Sequence, residues 1–513
     1  MTKCLVVCCD GTWNNPQQED NGIPAPSNVF KIHNAIDLPE SDRYYHPGVG
    51  GEGGVLRPIA AGAFGAGISR HICSAYHWLA NNYEEGDDIY LYGFSRGAFT
   101  ARSLGAFLGR GLLNLTSVKP AEAWVRVHRA YKEAYRAERS VKQLNKNWKM
   151  FNAGGPTPIR FIGVWDTVGA LGVPDDFEIL NLFDDANAWC FHNTDLGDHV
   201  QTGRHAMAID EIRSSFCVTR WTNRQTHKDV TELWFPGVHS DVGGGYASCG
   251  LSDGALLWMI KESELAGLPF HSHVPAALSP NAQGVLHNSY KGAFNKLRSR
   301  PRNLPAMHPA STEFHDSALS RQKQPPLGYP AYHSTTILSN DGDSTTFSVF
   351  ANQHWNSSGV FLETGVEYLF DARGEWLDSK DACDWRGTED SNLTMGDIIR
   401  SFAGFMGSAE PVYSKMTSNN GTDFMFTKRV EDRSWFALIG AIANDNGSKS
   451  AVNNDGSPNP HQYVELYEHR KKPLVLHHPG YLYCFPNDVW ALYGNNTGSL
   501  RVTVKRVRKT PTS

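Results

Sequence analysis

Residues 87–109 read DDIYLYGFSRGAFTARSLGAFLG, and the fold turns on how the middle of this stretch is understood. Ile89 to Tyr92 is a short apolar run without strict alternation, as expected of a parallel strand covered on both faces. Ala98 to Leu108 reads as a helix. Between them lies Gly93-Phe94-Ser95-Arg96-Gly97, a Gly-x-Ser-x-Gly turn from strand to helix. Such a turn holds its serine in a strained backbone conformation, with Oγ exposed above the sheet edge. Small residues two positions either side let strand and helix approach, and the helix start favours an oxyanion. Ser95 is therefore a candidate nucleophile; the alternative is an ordinary serine at a strand–helix junction.

A serine needs a base and an orienting acid, in the chain order Ser, Asp or Glu, His for this arrangement. Asp166 follows the apolar run of PIRFIGVWDTVGALG, and His239 follows that of VTELWFPGVHSDVGGGY. Asp166 would orient the imidazole and His239 would take the Ser95 proton. For each there is a plainer alternative, a helix N-cap for Asp166 and a hydrogen-bonded loop histidine for His239. Asp241 is the second choice of acid. The first strand ends in CDGTWNN, where Gly11 and Thr12 are candidates to share an oxyanion with the N–H of Arg96; a simple Asp-Gly turn is the alternative. The glycine-rich stretch GVGGEGGVLRPIAAGAFGAG lacks the Gly-Lys-Ser/Thr ending of a phosphate loop and reads as a loop bordering the site.

The whole chain frames these residues. At 513 residues it exceeds one ordinary core, and 40% hydrophobic with 20% charged residues is a globular composition. A net charge of −5 gives no electrostatic reason to bind nucleic acid. No apolar run has the length of a membrane span. The N-terminal run is too short for a signal peptide and ends on Asp10, so cytoplasmic synthesis is expected, with export needing no cleaved leader. Nine cysteines, three of them in one expected strand (Cys4, Cys8, Cys9), argue against a disulfide framework.

The first half alternates short apolar runs with helical patterns, the mark of an α/β sheet. Strands are expected at Cys4 to Cys9, Ile89 to Tyr92, Ile159 to Trp165 and Thr231 to Phe235, with a helix over His71 to Tyr83. Residues 120–150 form a basic amphipathic segment with Trp124, Val127, Tyr131 and Tyr135 at helical spacing. The expected division is a catalytic domain over 1–335 and a smaller all-β sandwich over 345–513, where short strands alternate with Gly/Asn/Asp turns.

Several separated stretches, CLVVCCDGTWNN, YHPGVG, the segment around Ser95, RFIGVWDTVGALG, WFPGVHSDVGGGY and HDSALSRQ, together resemble an α/β-hydrolase family. Its best-known members are phospholipase effectors of type VI secretion systems, with relatives in fungi. The resemblance covers about the first two-thirds of the chain. It implies an α/β-hydrolase fold, a Ser-Asp-His triad on Ser95, Asp166 and His239, and lipolytic hydrolysis of carboxylic esters, often at phospholipid acyl chains. Two segments suit a lipid interface: Asp175 to His192, which mixes Phe177, Ile179, Leu180, Leu182, Phe183 and Trp189 with acids as a lid would, and the basic segment, which could meet anionic head groups; for each the alternative is an ordinary packed helix with a solvated face.

The C-terminal stretch CFPNDVWALYGNNTGSLRVTV places Asp488, Asn495 and Asn496 around a Tyr-Gly turn, offering the oxygen donors that Ca²⁺ prefers. Asn-rich turn chemistry is the alternative. The stretch resembles the loop of the galactophilic, calcium-dependent bacterial lectins. That resemblance implies side-chain oxygens from Asp488, Asn495 and Asn496, the backbone carbonyl of Leu492, a further carbonyl near Asp378, and a sugar bound through the ion. The lectins' sugar-contacting loop has no clear match in TEDSNLTMGDIIRSF.

The resulting expectation is a serine ester hydrolase with a calcium-dependent carbohydrate-binding domain and no cofactor for the hydrolysis itself. Expected partners are lipid or another ester, a glycan or glycolipid, and a membrane surface touched peripherally. The rival expectations are a carbohydrate esterase acting on decorated glycans, and a non-catalytic carbohydrate-binding adhesin or toxin module.

Overall fold

The structure is a computed structural model that describes residues 2–12, 14–48, 61–169, 194–292, 295, 298–328, 331–378, 381–388, 428–444 and 456–509. The expected lid segment, most of the glycine-rich stretch 48–67 and most of the TEDSNLTMGDIIRSF stretch lie outside these residues. Two compact units exchange segments along the chain. The first comprises Met1–Lys291, His308–Tyr332 and Ser448–Pro458; the second comprises Gly292–Met307, His333–Gly447 and Asn459–Ser513.

The first unit is built on six parallel strands: β1 (Cys4–Cys9), β2 (Arg43–His46), β3 (Asp88–Phe94), β4 (Ile159–Trp165), β5 (Val200–Ala208) and β6 (Val230–Phe235). They lie in the order β2-β1-β3-β4-β5-β6. Helices α1 (Asn28–Ala35), α2 (Ala61–Asn82), α3 (Arg96–Leu108), α4 (Pro120–Arg129), α5 (His239–Gly243) and α6 (Gly250–Leu265) complete the main α/β framework. One apolar cluster gathers Leu5, Val7, Leu91 and Ile162 with α2 and α3, and another gathers Val6, Tyr92, Phe161 and Trp165 with α1 and α6. Alternate strand residues thus feed cores on opposite faces, which is why these strands read as continuous apolar runs. The direction of winding reverses between β1 and β3, and open α/β sheets place ligands outside the carboxyl ends at such a point.

The four expected strands are present, and β2 and β5 are additional. β2, RYYH, carries no aliphatic residue and sits at the sheet edge. β5, VQTGRHAMA, hides Arg204 and His205 in a central strand, which the apolar-run criterion rejects. Arg204 is accommodated by ion pairs with Asp229 and Glu262, and His205 by a hydrogen bond to Glu232. In the basic segment, Val127, Tyr131 and Tyr135 are buried while α4 gives way to a π-helical turn over Ala130–Tyr135. Arg126 and Arg129 pair with Glu122 and Glu133 one turn away and lie over the Trp148 ring. Among the described residues no helix is long and apolar enough to cross a membrane.

The second unit holds two antiparallel sheets. Its longer strands are β7 (Ser344–Phe350), β8 (Asn356–Leu362), β9 (Val366–Asp378), β10 (Asp381–Cys383), β11 (Leu438–Asn444), β12 (Gln462–Glu465), β13 (Gly480–Pro486) and β14 (Asn496–Lys509), and the short strand Leu474–Val475 pairs with β9. One sheet runs β8-β13-β11-β12 and the other β10-β9-β14-β7. Leu362, Leu438 and Leu482 from the first meet Tyr368, Trp376 and Val502 from the second in a shared apolar core. Leu482→Ala should therefore destabilise the protein by about 2–5 kcal/mol. Urea unfolding followed by tryptophan fluorescence measures this directly, and a loss below about 1 kcal/mol would contradict so closed a core.

Candidate active site

Ser95 joins β3 to α3 with φ 57° and ψ −124°, a left-handed conformation that costs a non-glycine residue of order 1–3 kcal/mol. Its backbone is pinned on several sides. Its N–H donates to the Trp165 carbonyl at 3.1 Å, and its carbonyl accepts from Ala98 N–H at 3.1 Å and Val168 N–H at 3.4 Å. The flanking glycines are demanded by space. A Cβ on Gly97 would overlap the carbonyl oxygens of Cys9 and Asp10, and one on Gly93 would overlap that of Gly97. The start of α3 thus rests against the end of β1. The expectation of an outward-facing serine needs correction: Ser95 is 6% exposed. The loop after β1 encloses it, and a Cβ on Gly11 would come within 3.3 Å of the Ser95 Cβ.

Asp166 immediately follows β4, also with positive φ, 35°. It is fully buried, its N–H donates to Ala206 at 2.7 Å, and its Oδ1 accepts the Ala208 N–H at 2.9 Å. Its Oδ2 lies 2.6 Å from Nδ1 of His239, the first residue of α5 after β6. The imidazole is clasped between Phe94, centroids 4.5 Å apart, and the edge of Phe216 at 4.9 Å. Phe94 directly precedes Ser95, so the imidazole paired with Asp166 packs against the residue before the turn, and the three residues follow the carboxyl ends of β3, β4 and β6. Burial holds His239 below the usual histidine range, against the upward pull of Asp166. The ring is neutral at pH 7, with Nδ1–H donated to the carboxylate and Nε2 left as the basic nitrogen.

Asp241 is engaged elsewhere. Its carboxylate meets His287 Nδ1 at 2.6 Å and accepts the backbone N–H of His287 and of Val238. In the loop after β1, the Gly11 N–H donates to Asp10 Oδ1 at 2.7 Å, so it is turned to its own neighbour. Thr12 is buried, and its Oγ1 has no hydrogen-bond partner among the described residues. Arg96 N–H opens the first turn of α3, at the positive end of the helix.

Two functional supports escaped the sequence reading. Asp10 is a buried carboxylate that accepts from Ser27 Oγ at 2.6 Å and Tyr45 hydroxyl at 2.7 Å, tying down the loop beside Ser95. Burial pushes its pKa up, and these donors oppose the shift. Glu211 accepts the His239 N–H at 3.3 Å and is clamped by Arg213 at 2.8–2.9 Å. Burial would raise its pKa, and Arg213 outweighs that and keeps it ionised. The Asp-Gly pair after a buried strand was the available signal for Asp10; nothing local marked Glu211.

In the second unit, Asp488 and Asn496 are buried side by side, with Asn496 Nδ2 2.8 Å from Asp488 Oδ2. Leu492 and Asn495 lie on the short 3₁₀ turn Trp490–Asn495 that connects them.

Fold and site together define an α/β protein with Ser95, Asp166 and His239 after the carboxyl ends of strands in one parallel sheet. The chain belongs to the family of type VI secretion system (T6SS) phospholipase effectors, Tle1-like, catalytic domain, which matches residues 3–262, just over half of the sequence. The match ends before the antiparallel unit. An uncharacterized protein of Saccharomyces cerevisiae is 30% identical over 239 residues, 42% of this chain. Those residues are 32% of the yeast protein, so the chain spans about a third of that relative. The crystal structure of an uncharacterized protein from Pseudomonas aeruginosa is similar over 55% of this chain and 49% of its own, at 21% identity and TM-score 0.36. The structure of the Tle1 effector bound to the VgrG spike from the type 6 secretion system covers 48% of this chain and 52% of its own, at 16% identity and TM-score 0.28. Likenesses this partial identify no substrate.

The crowding at Gly97 makes a sharp prediction. Gly97→Ala must push α3 off β1 or the Cys9–Asp10 backbone out of the sheet, so soluble yield or melting temperature should fall markedly. A cost of about 1–3 kcal/mol or more is expected, and a variant as stable as the parent would show that the contact gives way freely.

Proposed function

We propose that this chain is a serine carboxylic ester hydrolase of lipolytic, phospholipase-like type. The observation that carries the reading is the 2.6 Å His239–Asp166 pair beside the strained Ser95 turn. The family match supports lipid esters as the substrate class. Deployment as a secretion effector also rests on that family.

In this mechanism His239 Nε2 takes the proton from Ser95 Oγ as the oxygen attacks the ester carbonyl. Asp166 fixes the ring and stabilises the imidazolium that forms. The oxyanion is held by the Arg96 N–H and by Thr12, whose buried hydroxyl lacks another partner among the described residues. Gly11, whose N–H serves Asp10, instead supplies the close backbone approach. Collapse breaks the C–O bond, and His239 returns the proton to the leaving alcohol. Water, activated by the same nitrogen, then releases the acid and restores Ser95.

Ser95→Ala should lower turnover of p-nitrophenyl acyl esters by roughly 10³-fold or more and abolish fluorophosphonate labelling. Retained turnover would sink the assignment. Fatty acid release from phosphatidylcholine vesicles, against acetate release from acetylated glycans, separates a lipase from a carbohydrate esterase. A protein inert on both, and unlabelled, would be the non-catalytic alternative.

The pH dependence follows from the imidazole. The base must be neutral, so kcat/KM should fall only as pH drops through a His239 pKa held below the usual histidine range by burial. Asp166→Asn removes the group that raises that pKa, moving any residual acid limb lower still and cutting kcat by roughly 10³- to 10⁴-fold. An acid limb above pH 7 in the parent protein would contradict this environment.

A second reading concerns calcium in the antiparallel unit. Asn496 Oδ1 is buried without a hydrogen-bond partner among the described residues, beside the buried Asp488 carboxylate. The β9–β14 register also sets Asp378 opposite Asn496, where a further backbone carbonyl was expected. Such oxygens fit a hard cation. Asp488, Asn495, Asn496 and the Leu492 carbonyl would hold Ca²⁺, and the ion would supply coordination sites for the hydroxyls of a glycan or glycolipid. Calcium should raise the melting temperature by several degrees over an EGTA control, through preferential binding to the folded state. Asp488→Asn should abolish the shift, and an unchanged parent melting temperature would reject the site.

A further inference from the structure

Behind the His239–Asp166 pair lies a buried charged network that the ester-cleaving steps above do not use. The parallel register sets His205 on β5 between Val164 on β4 and Glu232 on β6. His205 is 0% exposed. Its Nδ1 lies 3.1 Å from Glu232 Oε1, and its Nε2 accepts the Thr167 N–H at 3.1 Å. Glu232 is held in turn by Arg220 Nε at 2.8 Å and the Trp221 N–H at 3.1 Å, with Arg224 3.5 Å away. With Nε2 accepting, the ring must be the neutral tautomer that donates Nδ1–H to Glu232.

Thr167 is the residue after Asp166, so His205 acts on the segment that matters most. Residues 166–168 carry the buried acid at positive φ, and the Val168 N–H meets the Ser95 carbonyl. A strained backbone persists only where its surroundings over-determine it. Here the Asp166 and Thr167 amides are both taken by β5, one by the Ala206 carbonyl and one by the His205 ring.

We propose that His205 is a positioning residue for the ester-cleaving centre: by accepting the Thr167 N–H it fixes the 166–168 segment, and with it the mutual placement of Asp166, His239 and Ser95. This rests on the hydrolase reading above. The charged groups acting on the ring are Glu232 from β6, Arg102 from α3 and Asp166 from the end of β4, with Arg220 behind Glu232. Protonation of Nε2 would turn two N–H groups against each other, and burial, the largest influence on this imidazole, disfavours that state.

The test compares the parent with His205→Gln and His205→Met. Gln can present an acceptor to Thr167 and a donor to Glu232; Met fills similar space with neither strong group. On a p-nitrophenyl ester, His205→Gln should keep kcat within about fivefold, whereas His205→Met should lose roughly 10- to 100-fold in kcat with KM within twofold, the effect of misplacing a catalytic group. Met turning over as fast as the parent, or Gln and Met losing equally, would overturn the proposal. Should the Met variant not fold, selective ¹⁵N-histidine NMR of the parent decides, with the His205 resonances identified by their absence from the Gln variant. Protonated Nδ1 with bare Nε2 supports the role, and the opposite tautomer overturns it. A parent protein inert toward esters and fluorophosphonate would count against the hydrolase reading itself, and the tautomer would still report the Thr167 contact.

Discussion

The backbone of the first unit closes on itself where α3 leaves β3. The chain at Gly97 lies so near the Cys9 and Asp10 carbonyls that no side chain fits between them. This steric constraint sets where β1, β3 and α3 meet. It also places the first turn of α3 beside the loop after β1, and it leaves Ser95 strained between them. Asp10, fastened by Ser27 and Tyr45, keeps that loop in place. The winding reversal falls between β1 and β3, where open α/β sheets place their crevice, and the glycines let two backbones meet there.

Electrostatics then shape what such a crevice can do. Asp166, Glu211, Glu232 and His239 are all buried, and each unpaired charge there would be costly. Each is matched: Asp166 with His239, Glu211 with Arg213, and Glu232 with Arg220 and His205. The same desolvation that makes these pairs demanding holds the His239 ring neutral and basic at Nε2. Pairing also limits freedom of movement, because separating either partner exposes the other to a medium that solvates it poorly. The network behind Asp166 therefore contributes rigidity at a backbone that its own torsions would relax.

The antiparallel unit is organised differently. Its two sheets close one apolar core, and its notable polar residues gather where β13 leads into β14. Among the described residues the buried Asn496 oxygen there has no hydrogen-bond partner, which is the observation behind the calcium proposal. The proposals for the two units therefore rest on different kinds of observation, strain and proton geometry in one and an unsatisfied oxygen in the other.

How much of this was legible depends on the range of the forces involved. Local pattern revealed four of the parallel strands, the strand–turn–helix around Ser95, and the alternation of the second unit, because burial on one or two faces writes a short-range period into the chain. Chain order pointed to Asp166 and His239, since loops at one sheet edge must follow their strands in sequence. β5 stayed hidden, because Arg204 and His205 are tolerable in a central strand only once Asp229, Glu232 and Glu262 arrive from distant segments. The redirection of Gly11 toward Asp10, the enclosure of Ser95, the clamp on His239 by Glu211 and the His205–Thr167 bond were likewise tertiary decisions. The sequence by itself determined four of the parallel strands and where the candidate site residues fall along the chain. Which amides and carboxylates face one another was decided only by folding, because a hydrogen bond depends on distances of a few tenths of an ångström between residues that sequence separates by dozens of positions.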